Sequence, residues 1–109
     1  MLEDTKIREK VSISLFLERL KKIRLEKIEC TKHTFFRLSE KQRAIYTVEE
    51  LRRIITQEIP FLVGIQYNER YATFYIYNNK ILKMIVVFTS TKINIVTFYF
   101  IKEEQIPKI

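Results

Sequence analysis

From Ile13 to Ile23 the apolar residues Ile13, Phe16, Leu17, Leu20 and Ile23 recur at helical spacing, with Arg19, Lys21, Lys22 and Arg24 on the polar side. The pattern predicts an amphipathic helix over residues 5 to 27 with a basic outer side. The next stretch, Lys27 to Thr31, is short enough for an edge strand. Thr31 suits a helix N-cap, and residues 32 to about 41 read as a short second helix. A third helix is predicted over residues 48 to 58. Thr47 with Glu50 three positions on forms a capping box, Val48, Leu51, Ile55 and Ile59 fall along one face, and Pro60 stops the helix.

After Pro60 the period changes from helical to two. Four runs rich in β-branched and aromatic residues, "FLVGIQY", "YATFYIY", "KILKMIVVFT" and "INIVTFYFI", are divided by polar turn signals. Asn78-Asn79 reads as a two-residue hairpin turn, because asparagine tolerates positive φ, and Ser90-Thr91-Lys92 makes the next reversal. Alternation assigns Ala72, Phe74 and Ile76, then Leu82, Met84, Val86 and Phe88, then Val96, Phe98 and Phe100 to one apolar side for the helices to cover. The opposite side would carry Tyr71, Thr73, Tyr75 and Tyr77, then Lys83, Ile85 and Val87, then Ile93, Ile95, Thr97, Tyr99 and Ile101. The expected architecture is α+β, with N-terminal helices packed on one face of a four- to five-stranded antiparallel sheet. One domain over residues 1–109 is expected, comprising the long helix at 5–27, a core at 28–101 and a tail at 102–109 that frays or packs on a neighbouring subunit.

Composition narrows the chemistry. The single Cys30 and single His33 exclude an internal disulfide and a structural zinc, and no cofactor or metal site is read from the chain. The one glycine, Gly64, leaves no phosphate-binding glycine loop, and the one aspartate, Asp4, gives no carboxylate cluster for two-metal nuclease chemistry. No apolar run long enough for a membrane helix and no signal-peptide pattern is present, so a cytoplasmic protein without a membrane partner is expected.

The net charge is +7, and residues 1 to 43 carry 12 Lys or Arg against 7 Asp or Glu, so the excess lies at the front of the chain. Such a surface favours RNA or another polyanion, or an acidic protein that masks it. A solvated lysine-rich helix gives the same balance. His33 and Arg37 stand one helical turn apart and can approach one anionic group together, the imidazole moving a proton near neutral pH and the guanidinium clamping a phosphate. A packing role for a lone histidine is the plainer alternative. Tyr75, Lys83, Thr97 and Tyr99 form a second set, on the expected open sheet face, suited to stacking bases and neutralising phosphate or, equally, to a homodimer interface. Lys32 beside His33, Arg43 in the loop before the third helix and Arg70 at a hairpin turn are further candidate phosphate contacts. Glu49, Glu50, Arg52 and Arg53 read as the wet side of their helix.

The segments "TKHTFFRLSEKQRAIYTVEELRRII", "ERYATFYIYNNKILKMIVVF" and "INIVTFYF" together resemble the RelE/HigB-like toxin superfamily, closest to its poorly characterised branch with a His-x3-Arg helix, a capped second helix and a closing Val-Thr-x-Tyr strand. The resemblance covers residues 28 to 101 and rests on His33, Arg37, Thr47 and the run from Val96 to Tyr99. It implies a barnase/EndoU/colicin/RelE-type fold and a metal-independent endoribonuclease paired with an acidic antitoxin. On that footing His33 serves as general base or acid while an RNA 2′-hydroxyl attacks the adjacent phosphate. Arg37 and Lys83 stabilise the developing charge, and Tyr75 or Tyr99 positions a base. A non-catalytic nucleic-acid-binding protein, or a dimeric interaction protein of the same fold, remains the competing expectation.

Overall fold

Ser12, not the N-terminal segment, starts the first helix. In a computed structural model of the chain, which describes residues 6–31, 34 and 39–109, the Ser12 hydroxyl accepts the Leu15 N–H at 3.4 Å and helix α1 spans Ile13–Lys21. Upstream of that cap the chain is extended, and Ile7–Lys10 forms strand β1. The single helix expected over residues 5 to 27 is therefore corrected to a strand, a nine-residue helix and a 3-10 turn at Leu25–Lys27. The helical apolar spacing begins only at Ile13. A serine with an extended backbone immediately before it is a stop for anything preceding.

Strand β2, Ile28–Cys30, is the expected short edge strand. Helix α2 spans Glu40–Ile45 behind a reciprocal Ser39–Gln42 capping box, and helix α3 spans Val48–Gln57 behind Thr47, whose hydroxyl accepts the Glu50 N–H at 3.2 Å. The second helix expected from residue 32 overlaps this only at its end, and residues 32, 33 and 35–38 lie outside the described residues. Thr31 does not cap α2, since its hydroxyl donates to the Val96 carbonyl at 3.2 Å. Leu51, Ile54 and Ile55 of α3 are fully buried, each worth about 1.5–3 kcal/mol relative to exposure. Ile59, expected on the same face, lies past the helix end and is 72% exposed.

The meander follows as β3 Leu62–Gln66, β4 Tyr71–Tyr77, β5 Lys80–Phe88 and β6 Ile93–Ile101. Among the described residues six strands form one sheet in the order β1-β3-β4-β5-β6-β2. It is mixed, not purely antiparallel, because β2 runs parallel to β6. That pairing requires the chain to cross over, and α2, α3 and the meander lie between the two strands in sequence.

Asn78 and Asn79 both take positive φ, 51° and 62°, and set Tyr77 opposite Lys80. Odd-numbered residues of β4 consequently share a face with even-numbered residues of β5: Tyr75 stands opposite Leu82 and Thr73 opposite Met84. The helices thus cover Tyr71, Thr73, Tyr75 and Tyr77, the reverse of the expected assignment for β4. In β6, Val86 pairs with Ile95 and Ile85 with Thr97, so Val96 is an extra residue in a bulge. The bulge brings Ile93 and Ile95 onto the helix face as well as Phe98 and Phe100, where simple alternation had placed the two isoleucines outside.

The helix face packs Phe16 and Leu20 of α1 and the buried α3 side chains onto Val63, Tyr75, Leu82, Met84 and Phe98. Tyr46, between α2 and α3, sets its ring 5.5 Å from Phe98. A second apolar cluster, Leu62, Ala72, Phe74 and Ile85, occupies the other face, with Ile7, Ile101 and Ile106 packed on it. Ile106 belongs to the C-terminal tail, which therefore folds back on its own sheet.

Gly64 serves neither a turn nor a positive φ; it is needed for close approach, since a Cβ there would stand 2.6 Å from Ile7 Cγ2. Gly64→Ala is expected to lower stability by about 1–3 kcal/mol by pushing β1 off the sheet edge. Chemical denaturation of Gly64→Ala and of Gly64→Ala with Ile7→Ala checks this, the second change recovering part of the loss.

Candidate nucleic-acid interface

Lys32, His33 and Arg37 lie outside the described residues. Their described neighbours Thr31 and Thr34 are anchored to one place on β6. Thr34 is buried, and its hydroxyl donates to the Ile95 carbonyl at 2.6 Å. The Thr31 N–H donates to the same carbonyl at 3.1 Å, beside the Thr31 hydroxyl bond to Val96. Thr34 is buried and Thr31 half-buried, and these bonds satisfy both hydroxyls and fix the two threonines to the strand at its bulge. Sequence reasoning missed Thr34; a polar residue flanking the histidine carries no signal until β6 is known to lie beneath it.

Lys83, Thr97 and Tyr99 share the outer sheet face, as expected. Phe74, Lys83 and Tyr99 are directly opposite one another across β4, β5 and β6. The Lys83 ammonium stands 5.6 Å from the Phe74 ring centroid and 5.5 Å from that of Tyr99, cation–π distances on both sides. Tyr99 is 37% exposed.

Tyr75 does not belong to this set. It is fully buried under the helices, on the opposite face from Lys83, and cannot stack a base. Its hydroxyl has no hydrogen-bond partner among the described residues, and burial pushes its pKa up to about 12. Arg43 is exposed in the last turn of α2, not in a loop. Arg70 is exposed beside the β3–β4 turn, its N–H donating to the Asn68 side chain at 3.0 Å. These two and the Lys83 row are on separate elements, and no contact joins Lys83 to Arg70 among the described residues.

The supposed wet side of α3 has structural work. Arg53 donates to Glu50 and, at 2.9 Å, to the Tyr77 hydroxyl, which itself donates to Glu50 at 2.8 Å. This triangle fastens α3 to β4. The Arg53 hydrogen bond, then that of Tyr77, holds the Glu50 carboxyl below its usual range. Arg52 Nε donates to the Ile28 carbonyl at 2.8 Å and fastens α3 to β2. Cys30 is no nucleophile at neutral pH, because burial outweighs the nearby Arg52 and pushes the thiol up to about 11. Among the described residues no group of three or more His, Cys, Asp or Glu could hold a metal ion, and no helix is long and apolar enough to cross a membrane.

No family model, no curated protein and no solved structure matches the chain.

The Tyr75 phenol is favoured in its neutral form by the core, so the unfolded chain, with a pKa near 10, gives up this proton first. The stabilisation is complete below about pH 10 and is lost as pH rises toward about 12. Tyr75→Phe removes a buried hydroxyl without a partner; it is expected to raise stability at pH 7 by about 1 kcal/mol and to flatten the alkaline decline. Urea unfolding from pH 7 to 12 reads both effects.

Proposed function

We propose that this protein binds RNA and cleaves it without a metal, by attack of a 2′-hydroxyl on the adjacent phosphate. The observation that carries the reading is the attachment of Thr31 and Thr34, either side of His33 in sequence, to the Ile95 and Val96 carbonyls. Thr31 and Thr34, which flank His33 in sequence, thus meet the strand that carries the run from Val96 to Tyr99, on which the RelE/HigB resemblance also rests. A bulge at that point is also where sheets commonly redirect side chains toward a site. His33 acts as general base or acid and Arg37 clamps the phosphate, with Lys83 adding positive charge on the far side of β6. Tyr99 offers the ring for a base, the role that Tyr75 loses by burial. An acidic antitoxin would mask the same positive surface.

The alternative is a protein that binds RNA without cutting it, and the Lys83 row favours it: a cation between two rings, beside an exposed tyrosine, suits neutralising phosphate and stacking a base.

Purified wild type and His33→Ala, incubated with single-stranded RNA in excess chelator, separate the two. Wild type is expected to yield fragments with 2′,3′-cyclic phosphate ends, and His33→Ala to slow cleavage by about 10²-fold or more while retaining RNA affinity. Cleavage that chelator stops, or that the variant performs at full rate, rejects the nuclease. Salt-sensitive binding with no cleavage by wild type leaves the binding protein.

A further inference from the structure

The end of α1 and the β5–β6 turn enclose a cleft of about 400 Å³ lined by Leu15, Glu18, Arg19, Lys22, Ile23, Thr89 and Ser90. We infer that this cleft holds one nucleotide of the bound RNA strand, with its phosphate between Arg19 and Lys22. The inference rests on the RNA reading above but uses none of the residues assigned to cleavage.

Arg19 is the centre of the argument. Its guanidinium lies 4.4 Å from the Phe88 ring centroid and 5.8 Å from that of Tyr71, and Nη1 donates to the Tyr71 hydroxyl at 3.1 Å. Phe88 and Tyr71 in turn meet edge to face at 5.3 Å. An exposed arginine is usually mobile; this one is oriented in advance, so less rotamer freedom is lost when it binds. One of its five N–H donors serves Tyr71, and the fork retains enough others for two-point contact with a phosphate. Neither Arg19 nor Lys22 has a carboxylate partner among the described residues.

The rest of the lining suits the remainder of a nucleotide. Leu15 is 62% exposed and with Ile23 offers apolar surface for the face of a base. Ser90 supplies a hydroxyl, whereas that of Thr89 already accepts the Lys92 N–H at 3.0 Å. Glu18 is the one group of opposing sign and should weaken binding. Arg19 and Lys22 at the C-terminal end of α1 also complement the helix dipole, whose negative end by itself opposes a phosphate there.

The test measures binding of a single-stranded uridine decamer across a salt series, in chelator with a non-cleavable 2′-O-methyl backbone. Arg19→Glu with Lys22→Glu is expected to weaken binding at least tenfold and, by removing the neutralisation of one phosphate on a single strand, to lower the log–log salt slope by about 0.7. Lys102→Glu with Lys108→Glu, the same change of charge on the tail, should cost less than about threefold and leave the slope. Glu18→Gln should tighten binding about two- to fivefold, and Ser90→Glu should weaken it. These two exposed positions carry the test if circular dichroism shows that the Arg19 variant is unfolded. Equal loss from the two double reversals, or no response to Glu18→Gln and Ser90→Glu, overturns the cleft and leaves RNA binding intact. Failure of wild type to bind the decamer at all rejects the RNA reading and the cleft with it.

Discussion

Every assignment of a side chain to a face depends on the pairing of Tyr77 with Lys80. Two asparagines with positive φ close that turn, and a turn of two residues permits only one parity between the strands it joins. From there the order is determined row by row: Tyr75 with Leu82 toward the helices, Phe74 with Lys83 away from them. A turn longer by one residue would exchange the faces of one strand. Phe74 would then compete for the space that Tyr75 occupies, and Lys83 would lose the ring on one of its two sides.

The elements that were legible in the sequence are those fixed by local chemistry. Thr47 and Pro60 bracket α3 whatever surrounds it, and Asn78-Asn79 specifies its turn without help from the core. What could not be read locally was decided by pairing over long sequence separations. Residues 6 to 10 have no strong period of their own, and β1 exists because β3 offers an edge with a glycine opposite Lys10. The parallel partnership of β2 with β6 joins residues more than sixty apart. The inversion of β4 is a different kind of error. The turn that decides it was in view, but both faces of the strand are apolar enough for alternation alone to fit either choice, since aromatic rings stand at Tyr75 and Phe74 alike. At the candidate site, Lys83 and Tyr99 were readable from alternation, whereas Thr34 and Arg19 gain their meaning only from Ile95, Tyr71 and Phe88.

A sheet with apolar residues on both faces needs two covers. The helices form one, fastened by polar clasps that sit at its margin: Arg53 with Glu50 and Tyr77, Arg52 with the Ile28 carbonyl, Thr34 with the Ile95 carbonyl. Such bonds are directional, where burial of Leu51 or Ile54 is not, and they select one placement of the helix layer from the many that would bury similar area. The second cover is smaller, made by Ile7 from one end of the chain and Ile106 from the other. It leaves Ile76 and Tyr99 in contact with solvent.

The cations divide accordingly. Arg8 with Glu69, Arg53 with Glu50 and Lys92 with Glu29 stand against carboxylates, and their charge is already matched. Arg19 and Lys83 are held by rings instead. A ring orients a cation through its quadrupole but carries no net charge, so the field of the cation still extends into solvent. A carboxylate in the same place would orient the group and cancel that field. Holding a positive group with aromatic carbon is therefore the arrangement that keeps it ordered while leaving it able to attract phosphate, and the chain uses it on both sides of its sheet.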